Sequence, residues 1–185
     1  TGVHVCEPCL TGKYSIVLAS PDEANCIMCI AGKFSSSVAA SSSSTCVQCP
    51  RGWYQEDEGQ TSCLMCVPGQ FTGDYESTTC TDCEMGKVTE SAGRPDCMTC
   101  GEGKYADGPG QPMCFACPPG QYSESVTSDD ALNTNCKDCP KGQYRTDPGG
   151  TRCTLCAMGK AATSEGQPSC TDCKLGKATY KARCV

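Results

Sequence analysis

The stretch Cys114-Phe115-Ala116-Cys117-Pro118-Pro119-Gly120-Gln121-Tyr122-Ser123 holds a C-x-x-C doublet, a glycine three residues beyond it, and an aromatic ring two residues after the glycine. The same order recurs along the whole 185-residue chain. Twenty of the 21 cysteines fall into ten doublets, starting at Cys6, Cys26, Cys46, Cys63, Cys80, Cys97, Cys114, Cys136, Cys153 and Cys170. The steps between them are 20, 20, 17, 17, 17, 17, 22, 17 and 17 residues. Self-similarity at a short period marks a repeat architecture in which each unit contacts mainly its neighbours. The chain therefore reads as one tandem array of about ten modules, spanning 6–25, 26–45, 46–62, 63–79, 80–96, 97–113, 114–135, 136–152, 153–169 and 170–185. It is expected to be a segment of a longer secreted chain.

Aligned on the doublets, seven modules keep both glycine and ring: Gly12 with Tyr14, Gly32 with Phe34, Gly52 with Tyr54, Gly69 with Phe71, Gly103 with Tyr105, Gly120 with Tyr122 and Gly142 with Tyr144. Three keep the glycine and lose the ring, at Val88, Ala161 and Ala178. A second glycine often stands four residues before the next doublet, as at Gly59, Gly93, Gly110, Gly149 and Gly166. Glycine at fixed offsets signals tight turns. Each unit thus predicts a turn, a short strand with an inward ring, a second turn and a second short strand. No window has sustained helical periodicity. The fold class is small disulfide-rich β repeats, an elongated solenoid-like rod of short hairpins with almost no helix.

Valine, isoleucine, leucine and phenylalanine are too few for a conventional core, and a 17-residue unit cannot bury enough apolar surface to offset the ordering of its backbone. Such units need staples. Cysteine above about a tenth of the chain points to disulfides in an oxidising compartment. Zinc is the rival, because C-x-x-C repeated after about 15–20 residues is also a zinc-ribbon spacing. The unbroken series of ten doublets, the Ser/Thr/Gly-rich body and the single histidine, His4, favour disulfides. The spacing suggests joining the second cysteine of one doublet to the first of the next. That gives Cys9–Cys26, Cys29–Cys46, Cys49–Cys63, Cys66–Cys80, Cys83–Cys97, Cys100–Cys114, Cys117–Cys136, Cys139–Cys153, Cys156–Cys170 and Cys173–Cys184, with Cys6 left over for an upstream module. Each such loop of about 15 residues contributes on the order of 3 kcal/mol in the chain-entropy model. Pairing first to first and second to second cysteines of adjacent doublets is also open. Closing a doublet on itself suits a redox enzyme better than a structural repeat.

The motif in Cys117-Pro118-Pro119-Gly120-Gln121-Tyr122-Ser123 and Cys139-Pro140-Lys141-Gly142-Gln143-Tyr144 resembles the ephrin-receptor-like cysteine-rich repeat. It is also similar to the single-disulfide submodule that opens a tumour-necrosis-factor-receptor domain, in which the flanking cysteines pair as above. The resemblance covers nearly the whole chain and implies an extracellular repeat. Arrays of this kind occur in receptor ectodomains and on protist and algal surfaces, including flagellar-hair (mastigoneme) proteins. The monotony of the ten modules departs from receptors, which interleave two-disulfide submodules.

Net charge is −6, with Lys and Arg scattered along the chain. Nucleic-acid binding would require a basic stripe, and none exists. No apolar stretch is long enough to span a bilayer, so no membrane contact is expected of this segment. Nucleophile elbow, phosphate loop and metalloprotease signatures are absent, and no enzyme activity, cofactor or metal is expected. Glu56-Asp57-Glu58 reads as a solvated turn, and Asp129-Asp130 lacks the ligand spacing of a calcium loop. The tract Ser35–Thr45 is a candidate O-glycan carrier, with acceptors Ser36, Ser37, Ser41, Ser42, Ser43, Ser44 and Thr45. No Asn-x-Ser/Thr sequon occurs. Trp53 stands where other modules have Lys or Gln and is the best single contact candidate.

These features predict an extracellular structural subunit, at the cell surface or on an appendage such as a flagellum. Its partners would be copies of itself or other filament proteins, with O-linked glycans. The alternative is a ligand-binding receptor or adhesion ectodomain.

Overall fold

The computed structural model describes residues 7–17, 25–124 and 133–174, together with the backbone of 179–180 and 183–184. Among these residues the chain is a series of ten antiparallel hairpins with two residues in each strand. The first hairpin pairs Lys13–Tyr14 with Ile27–Met28, in the register Lys13↔Met28 and Tyr14↔Ile27. The rule repeats: one strand follows the first-turn glycine, and the other is the pair of residues between the cysteines of the next doublet. Thus Trp53–Tyr54 meets Leu64–Met65 and Gln121–Tyr122 meets Lys137–Asp138. Helix is confined to short 3₁₀ turns such as Ser43–Thr45, capped by the side chain of Ser42. The fold is thus the expected array of small disulfide-rich β repeats.

Two-residue strands are shorter than any that stand alone in water. Disulfides close the loops that carry them. Cys9–Cys26, Cys29–Cys46, Cys49–Cys63 and Cys66–Cys80 join consecutive doublets, as do Cys100–Cys114, Cys117–Cys136, Cys139–Cys153 and Cys156–Cys170. Cys83, Cys97 and Cys173 are disulfide-bonded as well. Cys6, Ala178 and the side chain of Cys184 lie outside the described residues.

Directly opposed residues of an antiparallel pair share a face. One face of each hairpin therefore carries the ring and the first residue between the doublet cysteines. Tyr105 and Phe115 show the result, with ring centroids 6.2 Å apart. The other face carries the Lys, Gln or Trp before the ring and the second doublet residue.

The buried centre differs from the expected core of inward rings. Tyr14, Phe34, Tyr54, Phe71, Tyr105, Tyr122 and Tyr144 are only half-buried. Instead the core consists of the second cysteine of each doublet from Cys9 to Cys139 and, in most modules, the residue just after the ring position. Cys49, Cys66, Cys83 and Cys117 are 0 % exposed, and Ser35, Thr72, Thr89, Ala106, Ser123 and Ala162 are buried beside the turns. The reason is geometric: a ring shares its face with an exposed doublet residue, whereas the next residue alternates to the inner side. Buried hydroxyls find local partners. The Thr89 hydroxyl accepts from the Gly69 N–H at 2.8 Å, and the Ser123 hydroxyl donates to the Lys104 carbonyl at 3.2 Å. Where the ring is lost, Val88 joins Cys100 and Ala106 in a small apolar cluster.

The chain forms two compact units, Thr1–Asp82 with Thr89–Cys97, and Cys83–Val88 with Met98–Val185. Each is built by the same rules.

Candidate functional site: the ladder between modules

In both units the modules are tied by two backbone ladders. In the first, the N–H of the first-turn glycine donates to the carbonyl of the residue after the ring of the following module. Gly12 donates to Ser35, Gly32 to Gln55, Gly52 to Thr72 and Gly69 to Thr89 in the first unit, at 2.8–2.9 Å. In the second unit Gly86 donates to Ala106, Gly103 to Ser123, Gly120 to Arg145 and Gly142 to Ala162, at 2.8–3.0 Å. The same glycines accept on their carbonyls, for instance Gly12 from the Cys29 N–H at 2.9 Å.

In the second ladder, the carbonyl of the cysteine that opens a loop accepts from the second turn of the next loop. Cys9, Cys29, Cys49 and Cys66 accept from the N–H groups of Ala39, Gly59, Glu76 and Gly93. Cys83, Cys117 and Cys139 accept from Gly110, Gly149 and Gly166. At Cys100 a side chain substitutes: Asn133 Nδ2 donates to the Cys100 and Gly101 carbonyls at 3.0 and 3.1 Å. The insertion in that loop leaves no glycine at the usual offset, and a buried carboxamide supplies the donor instead.

The modules also reach past their immediate neighbours. A Cβ built on Gly52 would lie 2.1 Å from the Gly93 carbonyl oxygen, two loops further on. On Gly120 it would lie 2.0 Å from that of Gly166. Only a residue with no side chain allows this approach, and the φ of +84° and +85° at these two glycines adds a backbone requirement. Above the second turn lies the outer face of an earlier hairpin. Met28 covers Gly59, Met65 and the Trp53 indole nitrogen cover Gly93, and Asp138 covers Gly166. At Glu76 the carboxylate meets Lys33 Nζ at 3.1 Å and accepts from Gln48 Nε2. Ala39 and Glu76 occupy this turn with φ of +54° and +58°, where other modules place glycine.

Trp53 is therefore half-buried within the array and covers an internal turn. The candidate glycan acceptors Ser36, Ser37, Ser41, Ser42, Ser43 and Ser44 are exposed, and Thr45 is half-buried with its hydroxyl donating to the Ser42 carbonyl at 2.7 Å. Glu56-Asp57-Glu58 is an exposed turn. Asp129 and Asp130 lie outside the described residues. Among the described residues no group of three or more His, Cys, Asp and Glu side chains has metal-binding geometry. No helix among them is long and apolar enough to cross a membrane.

The residues that sequence reasoning missed are Ala39, Glu76, Asn133, Met28 and Met65. Their shared signal is positional: each sits at the second turn or directly over one. That signal emerges only when the turn is aligned with the hairpin two loops earlier.

A family model described as tyrosine-protein kinase ephrin type A/B receptor-like matches residues 37–83. No curated protein matches the chain. The match, the serial disulfides and the hairpins describe a cysteine-rich repeat array of extracellular type.

Proposed function

We propose that the chain is a structural subunit of an extracellular filament or cell-surface appendage, of the flagellar-hair kind, that carries tension along its length. The observation supporting this reading is the order of the disulfides. Each of the bridges named above joins the end of one doublet to the start of the next, so the covalent path skips the loop and runs from hairpin to hairpin. Recurrent surfaces favour self-association, because one weak contact repeats at every module. Partners are then copies of the chain or other filament proteins, and sugars on Ser41–Ser44 keep the outer surface hydrated.

The second reading, a receptor or adhesion ectodomain, draws on the receptor-like match over residues 37–83. Electron microscopy of native material beside the recombinant array separates the two. Fibres or lateral bundles are expected. Monodisperse monomers that bind a soluble ligand through the region around Trp53 would reject the filament and favour the receptor.

A further inference from the structure

All six methionines of the chain are exposed. Met28, Met65, Met85, Met98 and Met113 are between 45 and 53 % exposed, and Met158 is 96 % exposed. Methionine is ordinarily a buried filler of irregular core gaps, so a chain with none inside is unusual. The array also removes the usual competitor for oxidants. Every cysteine whose side chain is described is already in a disulfide, which leaves the thioethers as the most readily oxidised groups on the described surface.

Two of the six have a structural partner. The sulfur of Met28 is the nearest atom to the open side of Gly59, 3.1 Å from where a Cβ would stand, and its Cγ is at 3.2 Å. The Met65 Cγ and sulfur take the same place over Gly93, both at 3.4 Å. These are the turns whose N–H groups donate to Cys29 and Cys66 at 2.8 Å. The thioether thus lids a hydrogen bond between modules. We infer that the methionines are oxygen-accepting sites of this surface, and that oxidation of Met28 and Met65 loosens the packing of the first unit.

The reaction is oxygen transfer from a peroxide. The peroxide O–O bond breaks, an S–O bond forms on the thioether, the sulfur is oxidised by two electrons to the sulfoxide, and hydrogen peroxide is reduced to water. The product sulfur carries a strongly polar oxygen that prefers water to the Cα face of a glycine, which offers no adequate donor. The side chain then lifts and uncovers the turn. Met85, Met98, Met113 and Met158 do not take this place over Gly59, Gly93 or Gly166, and they take up oxygen without loosening those turns.

The test treats the folded, disulfide-intact protein with hydrogen peroxide and maps oxygen uptake by peptide mass spectrometry, with the reduced and unfolded chain as reference. All six sites should react within about tenfold of their unfolded rates, as exposure governs access. Amide exchange at Gly59 and Gly93 should quicken on oxidation and return after treatment with methionine sulfoxide reductases. The double variant Met28→Leu, Met65→Leu keeps an apolar lid that peroxide cannot modify, and its exchange should not respond. Protection of Met28 or Met65 beyond that tenfold range would overturn the inference. Unchanged exchange after full oxidation, or the same response in the leucine variant, would do so equally.

Discussion

Gly120 and Gly159 occupy the same place in their modules, with φ of +85° and +82°, yet they face different surroundings. A Cβ on Gly120 would overlap the Gly166 carbonyl, whereas one on Gly159 meets nothing within 4 Å. Substitution by alanine therefore separates the two demands on the turn. For Gly159→Ala the cost is the left-handed backbone alone, about 1–2 kcal/mol. For Gly120→Ala a backbone oxygen must also move, adding a further 1–3 kcal/mol or so, as for other overpacked sites. Denaturant unfolding with intact disulfides should rank Gly120→Ala well below Gly159→Ala. Equal losses would mean that the close approach contributes nothing. The first-turn glycine was legible from its fixed offset after the doublet, but the offset says only that a turn is needed. The second demand comes from a carbonyl two loops away, which no local pattern encodes. Ala39 and Glu76 escaped notice for the same reason, since both adopt a glycine-like conformation without being glycine.

A hairpin of two residues per strand is an element only in context. The doublet spacing made it readable, because a disulfide loop whose cysteines are 14 positions apart leaves space for little else between turn signals. Its inner side was misjudged: ring periodicity suggested an aromatic core, while the alternation one residue further buries Ala106 or Ser123 beside the cysteine. Asn133 shows where pattern reading ends. It replaces a backbone donor with a side chain in a loop lengthened by insertion, and only the fold reveals the equivalence. If neighbours hold each hairpin, damage should spread by the ladder and then stop. Replacing Cys100 and Cys114 by alanine removes a staple worth on the order of 3 kcal/mol. Hydrogen exchange should quicken at Gly86, whose N–H donates to Ala106, and at Gly103, which donates to Ser123. The N–H of Cys173, which donates to the Gly159 carbonyl three loops on, should keep its protection, as couplings that reach no further than two loops require. Loss of protection at all three would instead describe one cooperative core.

At the scale of the whole molecule, the disulfide order sets how far the chain can be drawn out. Between Cys49 and Cys66 the folded covalent path crosses the Cys49–Cys63 bridge, with Cα atoms 5.7 Å apart, and then takes three residue steps to Cys66. At about 3.5 Å per step the taut path is roughly 16 Å. With the bridge reduced, the same module pays out 17 residue steps, roughly 60 Å. Pulling one molecule from both ends should therefore show almost no lengthening from modules whose bridges are intact, even after their hydrogen bonds yield. Adding reductant under load should produce discrete steps of about 45 Å, one for each bridge of this loop size as it opens. A different pairing predicts different steps. Linking first to first and second to second cysteines would join the doublets two by two, so every other inter-doublet segment would extend before any reductant is added, and a paired loop would lengthen only when its second bridge opened. Long extensions before any reductant is added would show that the loops are not closed in series, and the proposed mechanical role would fall with them.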